Sequence, residues 1–304
     1  MTRVFATTVI AALALAVADA QQVFRSSIDL VNLGIVVTGR NGVPVLGLTR
    51  EDFEVIEDGV PQRVTHFAGG DPESAPPVHL AFMIDHSGSM VKDIRDVRTA
   101  AIKFLNQVDG ILDVTLIDFD TEVRLARFNP DDFPRMIERI RGRTPDGYTA
   151  LYDAISVYLD AAAAQSGDKI LVLYTDGGDT RSTMTQGDLL TLLKLSDVTV
   201  YSIGYLQHQG SGRHEQMQVL SRIGSTSGGL AFFPTSTNDL DKMYEQILRQ
   251  IAGRYSVGYV STNTATDGKW REVRVRLANK PALKDLRIRT RAGYFAPYKP
   301  ASQK

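Results

Sequence analysis

Five oxygen-bearing side chains stand where apolar runs or glycine-containing turns end, and their types suit metal coordination. The apolar run over residues 79–84 stops at a turn that places one carboxylate and two hydroxyls at alternate positions. A second apolar run, over residues 170–175, gives way to another carboxylate, and a threonine shortly after Gly147 supplies a third hydroxyl. Five hard donors from three loops indicate one divalent cation. The candidate ligands are Asp85, Ser87, Ser89, Thr149 and Asp176.

The chemistry of these donors limits the choice of cation. Hydroxyl and carboxylate oxygens suit Mg²⁺, Mn²⁺ or Ca²⁺, whereas zinc and copper sites draw on His and Cys. Mg²⁺ or Mn²⁺ fits best. Only Asp85 and Asp176 carry charge, so the ion should stay electrophilic and accept one more anionic oxygen. The sequence therefore predicts a site that binds the carboxylate of a partner protein, from an Asp or Glu, through the metal.

The order Asp-x-Ser-x-Ser, then Thr, then Asp-Gly resembles the metal-ion-dependent adhesion site of von Willebrand factor type A domains, as in integrin inserted domains. The resemblance covers roughly residues 77–252 and includes the strings at 149–154 and 174–177. It implies that the five candidate ligands occupy the coordinating positions of that family. The flanking segments 52–59 and 289–294 resemble a bacterial subgroup of secreted proteins that carry this domain.

Three further residues are expected to border the surface that meets the partner. Tyr148 stands where many members of the resembled family have glycine, and its bulk could narrow access to the ion. The strand pattern over 198–204 runs into a loop with Gly and Ser that carries His208 and Arg213. This loop leaves a carboxyl strand end, so it should rise on the same face as the metal. Arg213 could pair with a second acidic group, and a passive flexible connection is the alternative.

Composition predicts a folded protein of more than one domain. The chain has 304 residues, 43% of them hydrophobic and 23% charged, which is enough for a sizeable core. A net charge of −1 gives no electrostatic attraction to nucleic acid. The sequence contains no Cys, so neither a disulfide framework nor a thiol ligand is available.

The first twenty residues have the features of a signal peptide. Arg3 supplies a short positive region, 9–17 form an apolar region, and Ala18-Asp19-Ala20 offers a cleavage site. The apolar region is shorter than the roughly 20 residues that a membrane span needs, although an uncleaved anchor is the alternative. We expect an exported protein, periplasmic or secreted from a bacterium, with no transmembrane span in the mature chain.

Strand and helix patterns alternate between residues 77 and 252, which predicts an α/β fold with a doubly wound, mostly parallel sheet. The apolar runs 114–117 and 123–126 are too close for a crossover helix. They should form a hairpin whose second strand runs antiparallel at the sheet edge. Ligands of such sheets bind beyond the carboxyl ends of the strands, where Asp85 and Asp176 fall.

The remaining segments alternate like β-strands. Each has too few strands for an independent core, so the two should join into one small β-sandwich with the α/β domain inserted between them. Arg287, Arg289 and Arg291 alternate along one strand and are expected to form a solvated face, with an anionic surface partner as the alternative. The expected division is 1–20 signal peptide, 21–76 N-terminal β segment, 77–252 von Willebrand factor type A domain, 253–297 C-terminal β segment and 298–304 tail.

Three classes of function compete. The first is a noncatalytic module that recognises a protein through the metal. The second is a hydrolase, but a phosphatase-like nucleophile at Asp85 lacks the usual carboxylate two residues on, and Asp85 replaces the first glycine of a Gly-x-Ser-x-Gly elbow. The third is a scaffold of the cell envelope whose metal site is structural or idle. Metal-dependent partner capture separates the first class from the third.

Overall fold

The computed structural model describes residues 30–70, 77–108, 110–206 and 212–299. The strands are β1 (Leu30–Thr38), β2 (Phe53–Glu57), β3 (Val60–Gln62), β4 (Val64–Gly69), β5 (Val78–Asp85), β6 (Ile111–Phe119), β7 (Val123–Phe128), β8 (Asp168–Thr175), β9 (Thr199–Gly204), β10 (Leu230–Phe232), β11 (Arg254–Val260), β12 (Trp270–Leu277), β13 (Arg287–Arg289) and β14 (Gly293–Phe295). The helices are α1 (Ile94–Leu105), α2 (Phe133–Gly142), α3 (Leu151–Ala163), α4 (Gln186–Leu195), α5 (Arg213–Thr226) and α6 (Thr237–Ala252). The expected signal peptide lies outside the described residues.

Six strands form the predicted mostly parallel sheet, in the order β10-β9-β8-β5-β6-β7. All neighbouring pairs are parallel except β6 and β7, which form the predicted antiparallel hairpin at one edge. Strands β5 and β8 are buried along almost their whole length, because helices cover both faces of the sheet. Helices α1, α2 and α6 pack on one face, and α3, α4 and α5 pack on the other.

The terminal segments form the predicted sandwich of two antiparallel sheets. One sheet has the order β13-β1-β11-β4 and the other β14-β12-β2-β3, so each sheet combines strands from both ends of the chain. Their inner faces share one apolar core, in which Phe53 packs 5.2 Å from Tyr255, measured between ring centroids. The α/β domain is inserted between the two halves of this sandwich.

A buried ion pair joins the sandwich to the amino ends of the parallel strands. Arg254 Nε lies 2.9 Å from Asp168 Oδ2, and both side chains are only 4% exposed. The Arg254 guanidinium also donates to Thr199 Oγ1 at 2.8 Å. It crosses Gly34 so closely that a Cβ at position 34 would lie 1.6 Å from Arg254 Nη2, so a side chain there would displace the guanidinium.

Two arginines of the C-terminal segment do not form the solvated face expected from their alternation. Arg289 donates to the Gly228 carbonyl at 3.2 Å and also bonds Gln250, which lies in α6. Arg291 donates to the Ser196 carbonyl, directly after α4, at 3.4 Å and to the Asn32 carbonyl of β1 at 2.8 Å. The expectation was wrong for these two because the strand face lies against the α/β domain. The sandwich therefore covers the amino ends of the parallel strands, opposite to the carboxyl ends where Asp85 and Asp176 lie.

No helix in the described ranges is both long and apolar enough to span a lipid bilayer.

Candidate functional site

The Asp85 carboxylate is buried at the end of β5 and is held by two strands. Ser87 N donates to Asp85 Oδ1 at 2.8 Å, which closes the turn after β5. The Thr175 hydroxyl, at the end of β8, donates to Asp85 Oδ2 at 2.6 Å. Asp85 has no solvent exposure. Its orientation is therefore fixed by hydrogen bonds rather than by solvent.

The two serine hydroxyls lie side by side at the start of a short 3-10 turn. Ser87 Oγ and Ser89 Oγ are 3.0 Å apart, and Ser87 is buried whereas Ser89 is exposed. Two hydroxyl oxygens at this separation could bind one cation together. The exposure of Ser89 leaves that position open to solvent.

Thr149 is held between the turn after β5 and the loop after β8. Its amide donates to Thr180 Oγ1 at 3.0 Å, and its carbonyl accepts from the Thr180 amide at 2.9 Å. The Gly88 amide donates to the Gly147 carbonyl at 3.1 Å, which joins the serine turn to the segment before Thr149. The Thr149 side chain is buried at this junction.

Asp176 is a second buried carboxylate, one residue after β8. The Gly178 amide donates to Asp176 Oδ1 at 3.2 Å. Burial, followed by the negative charge of Asp176, raises the pKa of Asp85 to about 7. The two carboxylates therefore repel each other, and a divalent cation between them would remove that repulsion.

The chemistry of the donor set also fits a hard cation. In the described residues, no group of three or more His, Cys, Asp or Glu side chains is placed to hold a metal ion. The candidate site instead combines two carboxylates with neutral hydroxyls, which are ligands for Mg²⁺, Mn²⁺ or Ca²⁺.

Asp118 and Asp120 bond two arginines next to the candidate site. Asp118 Oδ2 accepts from Arg139 Nε at 2.7 Å, and Asp120 Oδ2 accepts from Arg143 Nη2 at 2.5 Å. The Asp120 carbonyl accepts from the Ala150 amide at 2.9 Å, next to Thr149. These carboxylates thus neutralise arginines, and Asp120 also anchors the loop that carries Thr149.

Sequence reasoning missed the roles of Thr175 and Asp179. Thr175 is a polar residue at the buried end of the apolar strand β8. A polar side chain in that position indicates a hydrogen-bonding role, which could have been read from the sequence. Asp179 Oδ1 accepts from the Leu151 amide at 2.8 Å and so caps the amino end of α3 from another loop. No local spacing announces this contact, because Asp179 and Leu151 are distant in sequence.

His86 is buried in the turn directly after β5. Its Nδ1 lies 3.2 Å from the Ile84 carbonyl, which can only accept, so Nδ1 carries the proton in this contact. Burial lowers the pKa of His86, with the charge of Asp118 opposing that effect. The ring is therefore neutral and forms part of the support behind the serine turn.

Of the three residues expected to meet a partner, the structure describes Tyr148 and Arg213. Tyr148 is 65% exposed directly before Thr149, and its amide donates to Thr121 Oγ1 at 3.0 Å. Arg213 begins α5, whose first turn brings Gln216 against Gly177 and Gly178 in the Asp176 loop. His208 lies outside the described residues.

Gly147 adopts a conformation that an L side chain resists, which leads to a testable expectation. Its φ is +75°, and a Cβ there would lie 2.5 Å from Thr121 Oγ1. We expect Gly147→Ala to lower the free energy of unfolding by about 1–3 kcal/mol and to weaken Mg²⁺ binding, because Thr149 would shift. Urea unfolding and calorimetry measure the two effects.

Gly142→Ala is the matched control for this substitution. Gly142 ends α2, and a Cβ there meets no atom within 4 Å. It should change stability by less than about 0.5 kcal/mol. Equal stability and equal Mg²⁺ affinity in the two variants would show that Gly147 does not constrain the site.

The sequence over residues 79–246 matches the von Willebrand factor type A domain family. Among solved structures, the PilB minor pilin from Streptococcus sanguinis aligns with 59% of this chain and 62% of its own, at 19% identity and a TM-score of 0.45. The chain thus spans less than two thirds of that pilin. No curated protein matches the chain.

Two other solved structures are similar over different lengths of the chain. The vWF domain of the type V pili tip protein Mfa5 from Porphyromonas gingivalis aligns with 57% of this chain and 95% of its own, at 13% identity and a TM-score of 0.47. A von Willebrand factor type A protein from Catenulispora acidiphila aligns with 92% of this chain and 76% of its own, at 12% identity and a TM-score of 0.49. The family assignment rests on the sequence match, which covers more than half of the chain.

Proposed function

Because this chain belongs to the von Willebrand factor type A domain family, we propose that it binds one divalent cation and uses it to capture a protein partner. The ion, Mg²⁺ or Mn²⁺ with Ca²⁺ as the alternative, is held by the two carboxylates and three hydroxyls described above. An Asp or Glu side chain of the partner completes its coordination. The function is noncatalytic binding.

One observation carries this proposal. Asp85 and Asp176 are buried beside each other, and the pKa of Asp85 is raised to about 7 by burial and by that neighbouring charge. Two buried carboxylates are stable together when a cation neutralises them. They neutralise a divalent ion only formally, so the ion keeps affinity for another anionic oxygen.

The hydroxyls favour binding over hydrolysis. Ser87 Oγ and Ser89 Oγ are hydrogen-bonded to each other, and in the described part of the chain neither bonds an imidazole. A serine nucleophile needs an adjacent base. The nearest histidine in sequence, His86, directs Nδ1 to a backbone carbonyl and is buried.

We also propose that the chain is exported and acts in the periplasm or outside a bacterial cell. The support is the signal-peptide pattern of residues 1–20. A binding module in that location would join envelope or surface proteins.

Capture from the parent cell envelope tests the proposed function. The mature protein is immobilised and washed with envelope extract in Mg²⁺ or in EDTA, with Asp85→Ala as the metal-site variant. We expect a partner that is retained only by the wild type in Mg²⁺. A partner retained equally in Mg²⁺ and EDTA would contradict the proposal and favour an assembly scaffold.

We expect Tyr148 to contribute to partner binding and not to metal binding. Its side chain is exposed, while only its backbone is held, so Tyr148→Ala should leave Mg²⁺ affinity unchanged. Loss of an exposed aromatic contact should weaken partner binding by about 1–3 kcal/mol. Surface plasmon resonance with the captured partner measures this, and Tyr298→Ala, another exposed tyrosine, is the control. Equal partner affinity in all three proteins would remove Tyr148 from the interface.

A further inference from the structure

A basic pocket lies between α1 and the last turn of α2, apart from the five candidate metal ligands. Its volume is about 310 Å³, and it is lined by Arg95, Arg98, Thr99, Ile102 and Arg141. Three of these lining residues are arginines, and none is acidic. Such a lining concentrates positive charge around a small space.

The helical repeat explains why these residues meet. Arg95, Arg98, Thr99 and Ile102 follow the spacing i, i+3, i+4 and i+7, so they share one face of α1. Arg141 reaches the same space from the carboxyl-terminal turn of α2. The pocket is thus presented by two packed helices.

These three arginines lack the partners that nearby arginines have. Within the described ranges, none of the three forms an ion pair with a carboxylate. The neighbouring arginines are paired: Arg135 with Asp132, Arg139 with Asp118, and Arg143 with Asp120. In the described residues, the three arginines thus lack a direct carboxylate partner, and Asp118, which is paired with Arg139, acts on Arg98 only through its charge.

Among the three arginines, Arg98 is the one whose donor atoms are buried without an acceptor in the described part of the chain. Its Nε and Nη2 atoms are buried and have no hydrogen-bond partner in the described residues. Burial lowers the pKa of the Arg98 guanidinium, and the charge of Asp118 offsets only part of that effect. A buried donor without an acceptor is unfavourable, so an anion that accepts from Arg98 would be stabilising.

Helix electrostatics do not account for the arginines of α1. Arg95 lies in the first turn of α1 and Arg98 in the second, at the end where the helix dipole is positive. Cations are unfavourable there and anions are favourable. The helix dipole is therefore unfavourable for the two arginine charges and favourable for an anionic ligand beside them.

We propose that this pocket binds a phosphate group, supplied either by a soluble phosphate ligand or by the headgroup of an anionic lipid. The planar guanidinium fork matches the oxygens of a tetrahedral oxyanion and can bond two of them at once. Three such groups, with no competing carboxylate in the lining, provide more donors than a single phosphate can accept. This site is independent of the proposed metal function.

The test uses the full-length mature protein in EDTA, at constant ionic strength set with sodium chloride. Inorganic phosphate is titrated by calorimetry into the wild type and into Arg98→Gln, Arg95→Gln and Arg141→Gln. We expect saturable binding that each substitution weakens by about tenfold or more. EDTA removes metal from the candidate site, so this result does not depend on the proposed function.

Arg222→Gln is the matched control, because Arg222 is exposed on α5 and the substitution makes the same change in net charge. It should bind phosphate like the wild type. If Arg98→Gln fails to fold, the exposed Arg95 and Arg141 variants still decide the question. Undiminished phosphate binding in Arg95→Gln and Arg141→Gln would overturn the proposal.

A second arm distinguishes the two sources of phosphate. Sedimentation with phosphatidylglycerol vesicles is compared with phosphatidylcholine vesicles, for the same variants. Binding to the anionic vesicles that falls in the three pocket variants supports a lipid headgroup. Phosphate binding without vesicle binding supports a soluble ligand. Failure of the wild type to bind in both arms would overturn the proposal.

Discussion

We expect Asp85→Ala to lose all measurable Mg²⁺ and Mn²⁺ binding while the protein keeps its fold. Asp85 supplies one of only two charges in the candidate site. Two unit charges about 4 Å apart attract by on the order of 4 kcal/mol at an effective dielectric constant of 20, and the ion is divalent, so the loss should be at least roughly a thousandfold in affinity. Isothermal titration calorimetry with each ion measures the loss.

The fold should survive because the sheet does not depend on this carboxylate. In the metal-free protein, burial and Asp176 oppose the charged form of Asp85, so its removal also relieves repulsion. Asp85→Asn is the conservative companion, since it keeps an oxygen that can accept from the Ser87 amide. Asp131→Ala removes an exposed carboxylate and should bind Mg²⁺ normally. Wild-type affinity in Asp85→Ala would exclude this residue as a ligand.

The second large effect is expected at the junction of the two domains. Arg254→Met should lower the free energy of unfolding by about 3–5 kcal/mol, because it leaves the Asp168 carboxylate buried and unpaired. The pair is 2.9 Å apart with both side chains 4% exposed, and the same guanidinium bonds Thr199. Urea unfolding followed by circular dichroism provides the measurement.

A double variant separates the pair from the packing around it. Arg254→Met combined with Asp168→Leu removes both charges and fills the space with apolar groups, so it should recover most of the loss. Lys103→Met breaks an ion pair with Asp241 whose side chains are 50% and 36% exposed, and should cost less than about 1 kcal/mol. Equal small losses in Arg254→Met and Lys103→Met would mean that the junction does not depend on the buried pair.

Much of the fold was predictable because its signals are local or strongly periodic. The apolar runs that became β5 and β8 and the short connection between β6 and β7 are visible in the sequence. They determine the strand order near the site through general rules for α/β sheets. Pairing of the terminal strands followed from the shortage of strands at each end.

The contacts between distant segments were not predictable. Arg289 and Arg291 alternate like solvated residues, yet they bond the carbonyls of Gly228 and Ser196 in the α/β domain because the sandwich packs against its amino ends. Asp179 caps α3 from another loop, and Thr175 holds Asp85 across two strands. Each contact depends on tertiary packing, which composition and spacing do not encode. The five candidate ligands, in contrast, follow strand ends and turns and could be named from sequence.

Anomalous diffraction from crystals grown with Mn²⁺ tests the central claim most directly. The account predicts one strong anomalous peak between Asp85, Asp176 and the three hydroxyls of Ser87, Ser89 and Thr149. The peak should lie at about 2.0–2.6 Å from each oxygen that coordinates the ion directly. A carboxylate that does not coordinate the ion directly should contact it through a water molecule. Saturating Mn²⁺ with no peak at these residues, or with a peak elsewhere alone, would contradict the account.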